Sequence, residues 1–135
     1  MGMKDLGVGF CAKQNRLVNQ YWIRFQDAFA GSTNELWKLE TESHHRLWLL
    51  RESYAQELRA AAFGDDTVER LTVATRNFQG EHARLCLEHG EAWQGIQAKL
   101  ARSIEDLQAE IRLQALDNAI EYLQEVRWAM APESS

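Results

Sequence analysis

Apolar positions recur along this chain at alternating steps of four and three residues. The first run is Val18, Trp22, Phe25, Phe29, Ser32, Leu36, Leu39 and Ser43, continuing through Leu47, Leu50, Tyr54, Leu58 and Ala61. The second is Val68, Leu71, Thr75, Phe78, His82, Leu85, His89, Ala92 and Ile96. It continues through Leu100, Ile104, Leu107, Ile111, Ala115, Ala119, Tyr122 and Val126. Side chains three and four apart share one helix face. Both runs also contain steps of four where three was due, the first of them after Ser43 and after Ile96. Such a stutter locally unwinds a left-handed supercoil. No useful stretch alternates with period two, and the one proline, Pro132, lies almost at the C-terminus. The chain is therefore all-α, with long antiparallel helices in a helical bundle or coiled coil.

The break between the runs is "AAFGDDTVERL". Gly64 is placed to end a helix in the left-handed conformation. Asp66 with Glu69 gives a D-x-x-E helix start, with carboxylates at the positive end of the dipole. The corner is thus expected at residues 63–66. Its shortness makes the two helices antiparallel neighbours. Residues 1–13 read as a flexible arm, 14–131 as the helical domain and 132–135 as a tail. Two interior breaks remain open. Gly31 and Ser32-x-x-Glu35 could end one helix and cap another, although the stripe keeps its phase across Gly31–Asn34. A break near Gly95 would create a third helix. Gly80, Gly90 and Gly95 each weaken a helix by roughly 1 kcal/mol relative to Ala, and mark either close helix contacts or a bend.

Some apolar residues fall outside both runs. Leu47-Trp48-Leu49-Leu50 goes most of the way round a helix, at about 100° per residue. Leu47 and Leu50 belong to the first run; Trp48 and Leu49 do not. Trp37 and Trp48 are separated by 11 residues and point within about 20° of each other, defining a second face. Near the C-terminus, Leu113, Leu116, Ile120 and Leu123 lie beside the main run. The apolar arc there reaches roughly 200°, more than one neighbouring helix covers. Trp37, Trp48, Leu49, Leu113, Leu116, Ile120 and Leu123 are accordingly the candidate residues for a subunit interface or an apolar target. The alternative is cover by a further helix of the same chain.

Composition narrows the partners. Net charge is −5, and basic and acidic residues are interspersed. This argues against nucleic acid and against electrostatic docking on anionic lipid. No apolar run approaches the ~20 residues of a membrane span. The N-terminus fits neither a secretory signal nor a myristoylation site. Cys11 and Cys86 read as reduced thiols of a cytoplasmic protein.

Chemistry is sparse. His82, Cys86 and His89 fall at i, i+4 and i+7 on one face, a spacing that can turn imidazole and thiolate toward one ion. Glu42-x-x-His45 could add a ligand, but the second E-x-x-H pair of a di-iron bundle is missing. The alternative places His82 and His89 in polar layers of the helical seam, where they fix register. No metal and no cofactor is expected. No nucleophile elbow presents a serine, so the chain reads as non-catalytic.

The long arms flanking "AAFGDDTVERL", an aromatic and Leu-rich arm before it and "LTVATRNFQGEHARLCLEHGEAW" after it, resemble the phasins. These proteins coat polyhydroxyalkanoate granules in bacteria. The resemblance covers roughly residues 17–126, and the chain departs from phasins in its acidic corner and its number of Trp. It implies amphipathic helices that cover an apolar granule surface, self-association into a dimer or tetramer, and no turnover. The other reading is an oligomeric coiled-coil scaffold or adaptor that binds another protein.

Overall fold

The computed structural model describes residues 2–131. Two long helices pack against each other, α1 (Met3–Ala61) and α2 (Thr67–Met130). Among the described residues there is no strand. The chain divides into a terminal unit, Met1–Gly31 with Leu100–Ser135, and a corner unit, Ser32–Lys99.

Several expectations change. The arm expected at 1–13 is helical from Met3, and Phe10 stacks on Tyr122 with ring centroids 4.6 Å apart. The tail at 132–135 lies outside the described residues. Neither Gly31 nor Gly95 interrupts its helix. A Cβ added at Gly31, Gly80 or Gly95 would meet nothing within 4 Å, and the same holds at half-buried Gly90. These glycines therefore mark neither a close helix contact nor a break.

The corner runs over residues 62–66. Gly64 is not left-handed, since no glycine has positive φ. A Cβ there would fall 2.9 Å from Arg70 Nη1, the mobile end of a long side chain. The start of α2 follows the D-x-x-E reading. Asp66 precedes the first helical residue and its carbonyl accepts the Arg70 N–H at 2.9 Å, as an N-cap does. Thr67 Oγ1 donates to the Gly64 carbonyl at 2.6 Å and ties the turn to the helix.

The seam has a different period from the one expected. In the terminal unit the shielded α1 residues include Leu6, Phe10, Gln14, Leu17, Tyr21, Phe25 and Ala28. Val18, Trp22 and Phe29 are 50%, 53% and 54% exposed. The stripe read from the sequence is therefore out of phase there, except at Phe25. In the corner unit it is in phase: Ser32, Leu36, Leu39, Ser43, Leu47, Leu50, Tyr54, Leu58 and Ala61 are all shielded. The steps repeat as four, four and three, an 11-residue cycle rather than heptads interrupted by stutters. On α2, Val68 and Ala92 are exposed while Thr67 and Ala74 are shielded, and the same cycle runs through Phe78, His82, Leu85 and His89. Eleven residues over three turns is about 3.67 per turn, slightly above the 3.6 of a straight helix. Such a seam needs little distortion, and any coiling it favours is right-handed rather than left-handed.

Contacts confirm the cycle within each unit. Phe10 meets Tyr122 and Gln14 Oε1 accepts from Asn118 Nδ2 in the terminal unit. Ser43 meets His89, and Tyr54 stacks on Phe78 at 4.5 Å, in the corner unit. The residue numbers of each pair add to 132. An ion-pair ladder lies beside the seam. The terminal unit holds Lys13–Glu121 (3.1 Å) and Arg24–Glu110 (2.8 Å). The corner unit holds Glu35–Lys99 (3.1 Å) and Arg46–Glu88 (2.9 Å). Both helices step by 11 from rung to rung. Burial is thin. Only Leu17, Ala61, Ala74 and Leu107 are buried among the described apolar residues, as expected when two helices have no third to close over them.

Candidate functional sites

Two features carry candidate function, a polar layer within the seam of the corner unit and an apolar flank beside the seam of the terminal unit. In the corner unit the central seam layer is polar. Ser43 Oγ lies 2.7 Å from His89 Nδ1, and His89 Nε2 lies 3.0 Å from Glu40 Oε1. Glu40 and Ser43 are three residues apart on α1, so they flank one imidazole from α2. A cavity of about 150 Å³ adjoins this layer, bordered by Leu47, Leu85, Cys86 and Arg46. Glu88 next to it is shared between Arg46 and Arg84. The Arg46 hydrogen bond holds the Glu88 carboxyl below the usual carboxylate range, with both guanidinium charges helping.

A serine, an imidazole and a carboxylate in sequence have the connectivity of a hydrolytic relay. Ser43 sits mid-helix, however, where backbone N–H groups are already bonded along the helix. The main chain therefore offers an oxyanion no donor. The layer accounts better for register: it is a polar rung of the seam, as Gln14–Asn118 is in the terminal unit.

The histidines and cysteine of the sequence motif do not converge. Cys86 Sγ is 3.8 Å from His82 Nδ1, while His89 turns to Glu40 and Ser43. His45 stacks beside Trp48. Among the described residues, no group of three or more His, Cys, Asp or Glu could hold a metal ion. Cys11 and Cys86 are free and exposed.

The second feature is the apolar flank of the terminal unit. From the seam residue Tyr21, Arg24 lies about 60° to one side and Val18 about 60° to the other. From Tyr122, Glu121 and Leu123 lie about 100° to opposite sides. The ion pairs thus mark one flank, and Val18 and Leu123 share the other. Trp22 extends this flank on α1; Leu116 and Ile120 extend it on α2, with Leu113 at its outer edge, and all are exposed. On α1, Trp22 packs edge-on against Phe25, with centroids 5.6 Å apart, and Phe25 stacks on Phe29. The broad apolar arc expected near the C-terminus thus splits in two. Ile111, Ala115, Tyr122 and Val126 line the seam; Leu113, Leu116, Ile120 and Leu123 face outward.

In the corner unit, Trp37 and Trp48 are 70% and 57% exposed, and Leu49 is also exposed. No third helix exists among the described residues to cover them. Val18 and Trp22 belong to the outward face, although the sequence pattern assigns them to the seam. The signal that separates them was present in the 11-residue spacing of Leu17, Ala28, Leu39, Leu50 and Ala61. No described helix is long and apolar enough to cross a membrane. No family model, no curated protein and no solved structure matches this chain.

Proposed function

We propose that this chain is a non-catalytic structural protein that assembles through apolar helix faces, in the manner of a coiled-coil scaffold. The observation that carries this reading is the outward apolar flank of the terminal unit. Its residues keep coiled-coil spacing: Leu113, Leu116, Ile120 and Leu123 step by three, four and three. The apolar partner is either the same protein or another one; nucleic acid does not suit a chain of net charge −5.

A second reading, a phasin-like coat on an apolar storage granule, is favoured by the breadth of the flank. It spans both helices and includes Trp22. Light scattering and sedimentation with polyhydroxybutyrate particles separate the two. The scaffold reading expects an oligomer with Trp emission shielded from a collisional quencher, and protein that stays in the supernatant. A monomer that sediments with the particles replaces the scaffold by the coat. A monomer that does neither removes both readings.

A further inference from the structure

We infer that the apolar flank of the terminal unit is an interface for a second copy of this chain. The inference rests on the assembly reading above and names its partner. Three observations support it.

The first is period. The contacts within the hairpin follow an 11-residue cycle, as the paired sites Phe10–Tyr122 and Gln14–Asn118 and the ion-pair rungs show. The flank of α2 follows a seven-residue one: Leu113, Leu116, Ile120 and Leu123 step by three, four and three, with Val18 and Trp22 of α1 bordering them. A seven-residue stripe meshes with a helix that coils left-handedly around it. The helix already in the seam uses the other period, so this stripe addresses a helix from outside the hairpin. A flat polymer surface requires no such period. A second copy brings the same stripe, and a two-fold interface sets the same patch against itself.

The second is area. The chain exposes 10549 Å² for a mass of 15.6 kDa. A compact monomer of that mass exposes about 7,250 Å². The excess of roughly 3,300 Å² is several times the ~800 Å² per partner of a standard interface. It leaves ample surface for the larger contact of an obligate dimer.

The third is charge. The α1 side of the flank, through Val8, Cys11, Asn15, Val18, Trp22 and Gln26, contains no ionisable carboxylate or cation. Charged residues are depleted at the centres of protein interfaces. The ion pairs Lys13–Glu121 and Arg24–Glu110 sit on the opposite flank, so a copy seated here would bury no carboxylate from α1.

Sedimentation equilibrium on the full chain tests this. The wild type is expected to be a dimer or a larger assembly. Val18→Glu with Leu116→Glu should weaken association by at least about tenfold, with helicity kept by circular dichroism, because both positions lie outside the seam. Trp37→Ser with Trp48→Ser, in the corner unit, should leave it unchanged. A monomeric wild type overturns both this inference and the assembly reading. An oligomer that the flank variant does not disturb, or that only the Trp variant breaks, overturns this inference alone. Should the flank variant fail to fold, the native cysteines decide. Cys11 lies on the same line of α1 as Trp22, so its maleimide labelling should slow as protein concentration rises while that of Cys86 stays constant. Equal behaviour of the two thiols overturns the assignment.

Discussion

The terminal and corner units use one seam rule and differ in what they place around it. Both repeat every 11 residues, and both carry ion-pair rungs whose residue numbers add to 134. The terminal unit has apolar residues deep in its seam, Leu17 and Leu107, and a flank of exposed apolar residues. The corner unit buries Ala61 and Ala74, has the Ser43–His89–Glu40 layer inside and, on the matching flank, sets Trp37 and Trp48 among Glu40, His44, Cys86 and Gly90. Seam geometry is therefore separable from surface role. The pattern that builds a hairpin leaves the flanks free, and only the terminal unit keeps charged side chains off the α1 side of that flank.

The largest test of this contrast is in the seams. Leu107→Ala removes a buried side chain from the terminal unit and should cost about 2–4 kcal/mol. Leu47→Ala, at a half-buried position beside the polar layer, should cost less, about 1–2 kcal/mol. Urea unfolding of both variants at one protein concentration gives the comparison. Equal losses would mean that the two seams are packed alike and that the polar layer does not loosen its surroundings.

Next come the corner-unit glycines. Gly80→Ala, Gly90→Ala and Gly95→Ala should each raise stability by up to about 1 kcal/mol, because the added methyl meets open space and the helix loses its most flexible residue. A loss at any of the three would reveal a neighbour at that face. Thermal melts read the sign directly.

The smallest effect is that of acid on the ladder. The Arg24 hydrogen bond holds the Glu110 carboxyl below its usual range, and the Arg46 hydrogen bond does the same for Glu88. A carboxylate with a lowered folded-state pKa contributes stability above its unfolded value. It loses that contribution as pH falls through the lowered one. Stability should therefore decline on acidification below the ordinary carboxylate range. Both rungs are exposed and screened by salt, so high ionic strength should flatten the decline. Glu110→Gln should remove part of the acid dependence in the terminal unit and Glu88→Gln in the corner unit. A profile unchanged in both would show that the rungs contribute nothing measurable.

How much of this could be read beforehand follows from where each residue sits. The all-α class, the corner and the N-cap at Asp66 were legible, since proline absence and D-x-x-E chemistry act locally. Continuity past Gly31 was favoured by the unbroken stripe and is what the helix shows. The phase of the terminal unit was misread at Val18 and Trp22. Leu17-Val18 and Tyr21-Trp22 offer two adjacent apolar residues at each turn, and steps of three and four accept either; only the longer 11-residue spacing from Leu17 to Ala61 separates them. The choice is made by the pairing with α2, where Tyr122 and Asn118 take Phe10 and Gln14. The left-handed Gly64 was a local expectation too, and it failed because the turn over residues 62–66 completes without positive φ. The Glu40–His89–Ser43 layer needed the register: Glu40 and Ser43 are unremarkable on α1 until the antiparallel alignment sets His89 between them.

The rung Glu35–Lys99 runs the other way from its fellows: its acid is on α1 and its base on α2. In a seam that repeats every 11 residues, a slide by one repeat sets each layer against an equivalent one, so hydrophobic matching alone is nearly blind to the error. The reversed rung makes the error audible. Slid one way, Glu35 would face Glu88; slid the other, Arg46 would face Lys99. It works as a parity mark written in charge, and it matters most when two chains meet without a corner to align them.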